Sequence, residues 1–246
     1  MMIDKIDITM TGVIRPEILN RTLGSIIDNI CQDRDGFRLI LNIDPIGESI
    51  KPAKMVKVAQ KYFDDLIFNI PKTPSFAKAV KWVWSNSDAP YIFHIEDDWI
   101  INRKIDVDDM INILKKYEKI SSLRLYKYKT PKRKKFLTFA SHWVYNEDGF
   151  YLSKDWRKQF GLNPILIKRE FINQALPRMR DNVNPEKQFR HSQAYMRKII
   201  KDWQYGMYSN PGDKALVTDI GRRWINNTNF TKPKTGTFLT WEKKGK

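Results

Sequence analysis

Residues 3–11 alternate apolar and polar side chains, the period of a strand with one covered face. After Arg15-Pro16-Glu17 the apolar positions fall at Leu19, Leu23, Ile26, Ile27 and Ile30, the spacing of one helix face. Residues 37–43 read as a second strand closed by Asp44-Pro45, followed by a helix over 53–61 and a short strand over 66–70. Helix returns over 75–84, where Phe76, Ala79, Val80 and Val83 line one side. The apolar run Tyr91-Ile-Phe-His-Ile95 then ends abruptly in Glu96-Asp97-Asp98. Strands alternating with helices at this spacing predict an α/β fold with a mostly parallel sheet covered on both faces. Beyond Trp99 the pattern predicts a helix over 107–119, a strand over 122–128, a basic turn over 130–135, an aromatic-rich stretch over 136–145, and helices over 168–176 and 186–201. There is no internal repeat and no low-complexity linker.

Composition adds that the 246 residues, 41% hydrophobic and 13% aromatic, suffice for one substantial core. No apolar run reaches the roughly 18 to 20 residues that cross a bilayer. With Asp4, Lys5 and Asp7 in place of an apolar leader, the expectation is a cytoplasmic protein. The one cysteine, Cys31, follows an apolar helix face and reads as a buried structural thiol. Charge changes the picture more: 44 Lys and Arg against 28 Asp and Glu give +16, with basic residues concentrated at 127–135, 157–197 and 232–246 among Trp and Tyr. That field attracts polyanions and suits phosphate contacts with base stacking. A solvated basic face is the plainer reading of any single cluster.

Ligands of open α/β sheets bind beyond the carboxyl ends of the strands, where the acidic triplet stands. Two unit charges about 4 Å apart repel by about 4 kcal/mol at an effective dielectric of about 20, so such a cluster calls for a cation or a raised pKa. In extended chain Glu96 and Asp98 point to one side and Asp97 to the other, which lets one pair face a metal diphosphate while the third braces the loop. Carboxylate oxygens suit Mg²⁺ or Mn²⁺. A helix cap or a solvated turn is the alternative. His94, His142 and His191 have no metal-ligand spacing, and His94 reads as a core imidazole. No P-loop, G-x-G-x-x-G fingerprint or G-x-S-x-G elbow supports a kinase-like, dehydrogenase or hydrolase reading.

Tyr91-Ile-Phe-His-Ile-Glu-Asp-Asp-Trp99 resembles the acidic strand end, the D-x-D motif, of A-type nucleotide-sugar glycosyltransferases. Ile8-Thr-Met-Thr-Gly12 with Arg15, Leu19, Arg21 and Leu23 is similar to that family's opening strand and helix, Asn42-Ile-Asp44 to its uracil- or ribose-reading position, and Ser75-Phe-Ala-Lys-Ala-Val80 to the segment bordering the donor. The resemblance covers about residues 3–100 and implies a Rossmann-like GT-A fold in one compact domain. Residues 1–120 would form the nucleotide-sugar half and 121–246 an aromatic-rich acceptor half. It implies a UDP-sugar donor contacted by Thr11, Arg15, Asp44, Ser75, Lys78, Glu96, Asp97 and Arg222, with Mn²⁺ or Mg²⁺ held by Asp98, Glu96 and Asp219.

Asp219 stands in Leu216-Val-Thr-Asp-Ile-Gly-Arg-Arg-Trp224, which resembles the family's late segment, at the place where a histidine often completes the metal site. Arg222 and Arg223 suit a departing diphosphate. Inverting transfer needs a carboxylate to take the acceptor proton. Glu186 in Asn184-Pro-Glu-Lys-Gln-Phe189 is the first choice, Asp97 is a second catalytic candidate, and Asp148, Asp155, Glu170 and Asp181 are substitutes. Glu186 also reads as an ordinary first-turn helix acid.

Size, charge and lack of a membrane span point to a large polyanionic acceptor. The profile resembles phage enzymes that glycosylate hydroxylated cytosine in double-stranded DNA. The rivals are a transferase of lipopolysaccharide or capsule synthesis and a non-enzymatic nucleic-acid-binding protein.

Overall fold

The computed structural model describes residues 5–31, 37–128, 143–154, 160–190, 192–226, 230–231 and 242–243. The predicted basic turn over 130–135, Asp155, His142 and His191 lie outside them. The first strand, β1 (Ile6–Ile14), leads into α1 (Pro16–Asn29), whose proline stands where a missing N–H costs nothing. Next come β2 (Arg38–Gly47), α2 (Ala53–Ala59), β3 (Leu66–Asn69), α3 (Phe76–Ser85) and β4 (Tyr91–Glu96), in the order the periodicity predicts. A short β5 (Trp99–Ile101) precedes α4 (Val107–Lys116). That helix is capped by the Asp106 side chain on the Asp109 N–H and carries Lys115 and Lys116 in its last turn, both favourable to its dipole.

Thereafter come β6 (Ile120–Leu125), β7 (Trp143–Asn146), β8 (Phe150–Ser153), β9 (Ile165–Lys168), α5 (Arg169–Ala175), α6 (Pro185–Gln188), α7 (Arg197–Asp202), β10 (Gln204–Tyr208), β11 (Val217–Asp219) and α8 (Gly221–Asn226). The strand pairs β12 (Phe230–Thr231) and β13 (Glu242–Lys243) close the series.

Among the described residues nine strands form one sheet in the order β3-β2-β1-β4-β9-β6-β10-β8-β7. Strands β3, β2, β1 and β4 are parallel, as are β6 and β10, while β9 runs antiparallel between β4 and β6. Helices cover both faces. Leu19 and Leu23 of α1, Met55 of α2 and Met110 of α4 pack on one, and Val80 of α3, Phe171 of α5 and Ile199 of α7 pack on the other. The α/β expectation therefore holds.

Three details differ from the sequence reading. The helix expected over 186–201 is broken into α6, a 3-10 turn over Ala194–Met196, and α7, because Arg190-His-Ser-Gln193 supplies no apolar residue to a buried face. Cys31 is half-buried at the end of α1 rather than enclosed. Residues 165–168 form the strand that joins the two halves of the sheet, where the sequence predicts only a helix beginning at Lys168. Among the described residues no helix is long and apolar enough to cross a membrane.

Candidate active site

The acidic triplet falls where β4 ends and turns into β5. Asp97, expected among the donor-contacting and catalytic residues, instead points into the protein and is 1% exposed. Its carboxylate accepts from Arg15 Nε at 2.9 Å, from Arg15 Nη2 and from the Val13 N–H at 3.2 Å, and Thr22 Oγ1 donates to its carbonyl at 2.7 Å. A Cβ on Gly12 would lie 2.7 Å from the Asp97 carboxylate carbon, so the first loop closes over this residue only because position 12 lacks a side chain. Asp97 thus locks β1, α1 and the turn together. Arg15, 3% exposed, stands at the α1 N-cap without a capping side-chain hydrogen bond, since a guanidinium has no acceptor for the free helix N–H groups. Burial opposes its charge, but Asp97 and Asp98 outweigh that and hold it cationic above the usual arginine range.

Arg15 Nη2 also reaches Asp98 Oδ2 at 2.9 Å. The late segment comes to the same place: β11 pairs antiparallel with β5, setting Asp219 opposite Trp99, and the Ile220 N–H donates to the Asp98 carbonyl at 2.9 Å. Trp224 then stacks on the Arg15 guanidinium, 5.3 Å from the ring centre. The Asp219 carboxylate accepts from the Gly221 N–H at 3.0 Å and from Arg222 Nε at 3.3 Å, while Arg222 is 77% exposed. A Cβ on Gly221 would stand 1.9 Å from Asp98 Oδ2. Gly221→Ala is therefore expected to displace either Asp98 or the Asp219–Trp224 segment, at a cost of about 1–3 kcal/mol. Denaturant unfolding reads that loss, and an unchanged midpoint would show the contact to be slack.

Two strands away, Asp44 at the end of β2 is 5% exposed and accepts from Asn42 Nδ2 at 3.0 Å and from the Ser75 N–H at 3.1 Å. Burial, ahead of Asp97's negative charge, pushes its carboxyl up to about 6 against those two hydrogen bonds. Asn69, ending β3, donates to Asn42 Oδ1 at 2.7 Å, so β2, β3 and the N-terminus of α3 share one polar network. Ser75 Oγ caps α3 by accepting from the Lys78 N–H at 3.4 Å, and the Lys78 side chain is exposed. Thr11, 4% exposed on β1, lies in register between Asn42 and Glu96. Asn69 is missing from the sequence candidates although, as a polar strand end like Asn42, it carries a local signal, and Gly221 and Trp224 stand there only within the late segment, without a role of their own.

Among the described residues no three His, Cys, Asp or Glu side chains come close enough to form a metal cage, so Asp98, Glu96 and Asp219 do not make one by themselves. Magnesium and manganese sites built from one or two carboxylates and a substrate's phosphates need no such cage. The half-buried Glu96 and the Asp98 carboxylate fit that kind of site. Thr11 Oγ1 and Arg15 Nη1, both buried without hydrogen-bond partners among the described residues, are donors suited to an anion beside it.

The acceptor-side candidate, Glu186, begins α6 and accepts from the Leu162 N–H at 2.7 Å through Oε1. Glu186 Oε1 and Arg124 Nη1 crowd one point above Gly161, at 3.5 and 3.0 Å from where its Cβ would be. Arg124 stacks on Trp143 at 4.7 Å. Register places Arg124 beside Ile165 and Ile165 beside His94, on one sheet face and about 10 Å across the sheet from β4. His94 is fully buried, bonded through Nδ1 to Thr9 Oγ1 at 3.0 Å, and burial pushes it down to about 3, so it is a neutral core imidazole. Asp148 pairs with Lys116 and Tyr117, and Asp181 with Lys81. Glu170 lines a cavity of about 860 Å³ with Pro90, Tyr91 and Trp203. That cavity opens at the amino end of β4, the edge opposite the triplet, so its size does not make it the reaction site.

No protein-family model matches the sequence, and no curated protein matches it either. Solved structures do match the fold. Residues 1–349 of TarS from S. aureus superpose with a TM-score of 0.56 at 10% identity, over 90% of this chain and 62% of that one. The mannosyltransferase PcManGT from Pyrobaculum calidifontis, in complex with GDP-Man and Mn²⁺, gives 0.59 at 10% identity over 95% and 59%. TarS 1–349 with UDP-GlcNAc gives 0.54 at 12% identity over 87% and 57%. The chain spans about 60% of the length of these structures. The likeness establishes the shared GT-A-type α/β architecture that the sequence resemblance implies.

Proposed function

We propose that the protein is a glycosyltransferase that moves a sugar from a nucleotide donor, UDP in the first instance, to a hydroxyl group. The observation that carries this reading is the convergence of Asp44, Thr11, Glu96 and Asp98 at the carboxyl ends of neighbouring strands in a GT-A-type fold. Asp44 and Asn42 receive the nucleoside, whose hydroxyl or N–H groups complete the carboxylate's hydrogen bonds. Thr11 and the spare Arg15 N–H meet the diphosphate, with Ser75 and Lys78 at the border. Glu96 and Asp98, with Asp219 nearby, would hold Mn²⁺ or Mg²⁺, which would supply charge neutralisation to the leaving diphosphate. In an inverting transfer Glu186 takes the proton of the acceptor hydroxyl as its oxygen forms the new bond to the anomeric carbon. The bond from that carbon to the diphosphate oxygen breaks, and Arg222 lies on the side of the departing charge. Asp97 acts through its lock on Arg15 and the turn.

The acceptor we assign is hydroxylated cytosine in double-stranded DNA, on the strength of the +16 charge. The test is nucleotide release from a panel of UDP- and GDP-sugars with Mn²⁺ or Mg²⁺, using hydroxymethylcytosine duplex, plain duplex or no acceptor. Release dependent on the modified duplex is expected, and Asp98→Asn should lower it about 10- to 100-fold, the scale of losing a group that holds or orients a metal. Metal-dependent release stimulated only by an oligosaccharide or lipid would retain the transferase and move its acceptor to a glycan. No release from any donor would sink the enzymatic reading.

A further inference from the structure

Gln188 is fully buried and ties three segments together. Its Oε1 accepts from the Arg180 N–H at 2.7 Å, its Nε2 donates to the carbonyls of Arg180 and Val183 at 2.9 Å each, and Tyr195 Oη donates to Oε1 at 3.4 Å. The Arg180 guanidinium lies over the Tyr195 ring at 4.1 Å, closing the knot from outside. Every strand of this knot carries a cation within two residues of its tie. Exposed Arg178 and Arg180 precede it, exposed Arg190 follows Gln188, and exposed Arg197 and Lys198 follow Tyr195. Of the acids close by, Asp181 is paired with Lys81 at 2.5 Å, and the charge of Glu186, which accepts the Leu162 N–H, is outnumbered by these five cations. A net positive, arginine-rich surface is thus held by a rigid polar core, and it adjoins α6, the helix that carries Glu186.

We propose that this Gln188-tied surface binds the phosphodiester backbone of a nucleic-acid acceptor. Four of its five exposed cations, Arg178, Arg180, Arg190 and Arg197, are arginines, whose planar fork matches phosphate oxygens two at a time. Such contacts set register without reading sequence, which is what an acceptor needs to be held while one of its bases is presented to a neighbouring carboxylate. The inference rests on the transferase reading only for that last step; backbone binding stands or falls separately.

The experiment is fluorescence anisotropy of a labelled duplex DNA with the full chain over a range of NaCl concentrations. Arg190→Ala with Arg197→Ala is compared with Lys54→Ala and Lys57→Ala, two exposed lysines of α2 on the other face of the sheet. All four side chains are exposed, so the variants keep the fold. The arginine pair is expected to weaken binding about tenfold and to reduce the slope of log affinity against log salt by about 2, one phosphate contact per residue. The lysine pair is expected to do neither. Equal losses from both pairs would mean that net charge alone attracts DNA and would overturn the surface, as would displacement of the duplex by polyglutamate at equal charge. Duplex binding without sugar turnover on any acceptor would overturn the transferase reading and leave this surface. Turnover on an oligosaccharide with no duplex binding would do the reverse.

Discussion

Arg15→Met is expected to destabilise the protein by about 3–5 kcal/mol, the range for stripping one partner from a buried ion pair. The loss comes from what remains rather than from what is removed. Asp97 is 1% exposed, and among the described residues only the Val13 N–H still meets its carboxylate after the substitution. A carboxylate with one hydrogen bond in a closed interior must be protonated or drag water inward. The same reasoning predicts rescue: Arg15→Met combined with Asp97→Leu removes both charges and should recover most of the stability, since apolar replacements of a whole buried pair are often neutral. Urea unfolding of the two single variants and the double at pH 7 measures this. A single-variant loss below about 1 kcal/mol, or strictly additive losses in the double, would show that Arg15 and Asp97 are not the lock described. The rescued double variant should still bind nucleotide poorly, because Arg15 Nη1, a donor aimed at the diphosphate in our reading, is gone.

The lock explains which parts of the site were legible in the sequence. Alternation along an extended chain separates Asp97 from Glu96 and Asp98, and the structure gives it the bracing position that this parity implies. What parity cannot provide is the partner, because Arg15 is more than 80 residues away and reaches Asp97 only once β1 and β4 pair. The strand-helix order up to residue 96 follows from local periodicity, since each element there is long enough to express its period and its neighbour in sequence lies close in space. In the second half that condition fails. Strand β9 is four residues long and antiparallel to both neighbours, a pairing set by tertiary contacts of Ile165, Leu166 and Ile167 with β4 and β6. The helix expected over 186–201 broke at a polar tetrapeptide that a periodicity count passes over. Gly221 and Trp224 were illegible for a related reason. Their meaning lies in the contacts with Asp98 and Arg15, made by chain that returns across the sheet through β11.

Asp44→Asn is expected to stabilise the fold and to weaken donor binding, and pH should separate the two effects. Burial raises this carboxyl from 3.8 to about 6. The folded state therefore binds more protons than the unfolded state between those values, and the Asp44 contribution to stability falls as pH rises through that window. At about 1.4 kcal/mol per unit, the ionised carboxylate costs up to about 3 kcal/mol above pH 6 and nothing below about pH 4. Asparagine keeps one oxygen, for either the Ser75 N–H or Asn42 Nδ2, which the two carboxylate oxygens serve separately, and so gives up one hydrogen bond worth about 1 kcal/mol, but it carries no charge to desolvate and none to oppose Asp97. Melting temperatures of wild type and variant should coincide near pH 4 and diverge toward pH 8, the variant being the more stable. Nucleotide affinity should move the other way, because an ionised acceptor forms hydrogen bonds to a ribose or uracil about twice as strong as a neutral amide does. Calorimetric titration with UDP at pH 7.5 should show weaker binding by the variant, and wild-type affinity should decline as pH falls through 6. If the variant were less stable at pH 8, the Asp44 carboxylate would be a structural anchor of the α3 N-terminus, and its cost could not be the mark of a site held ready for a ligand.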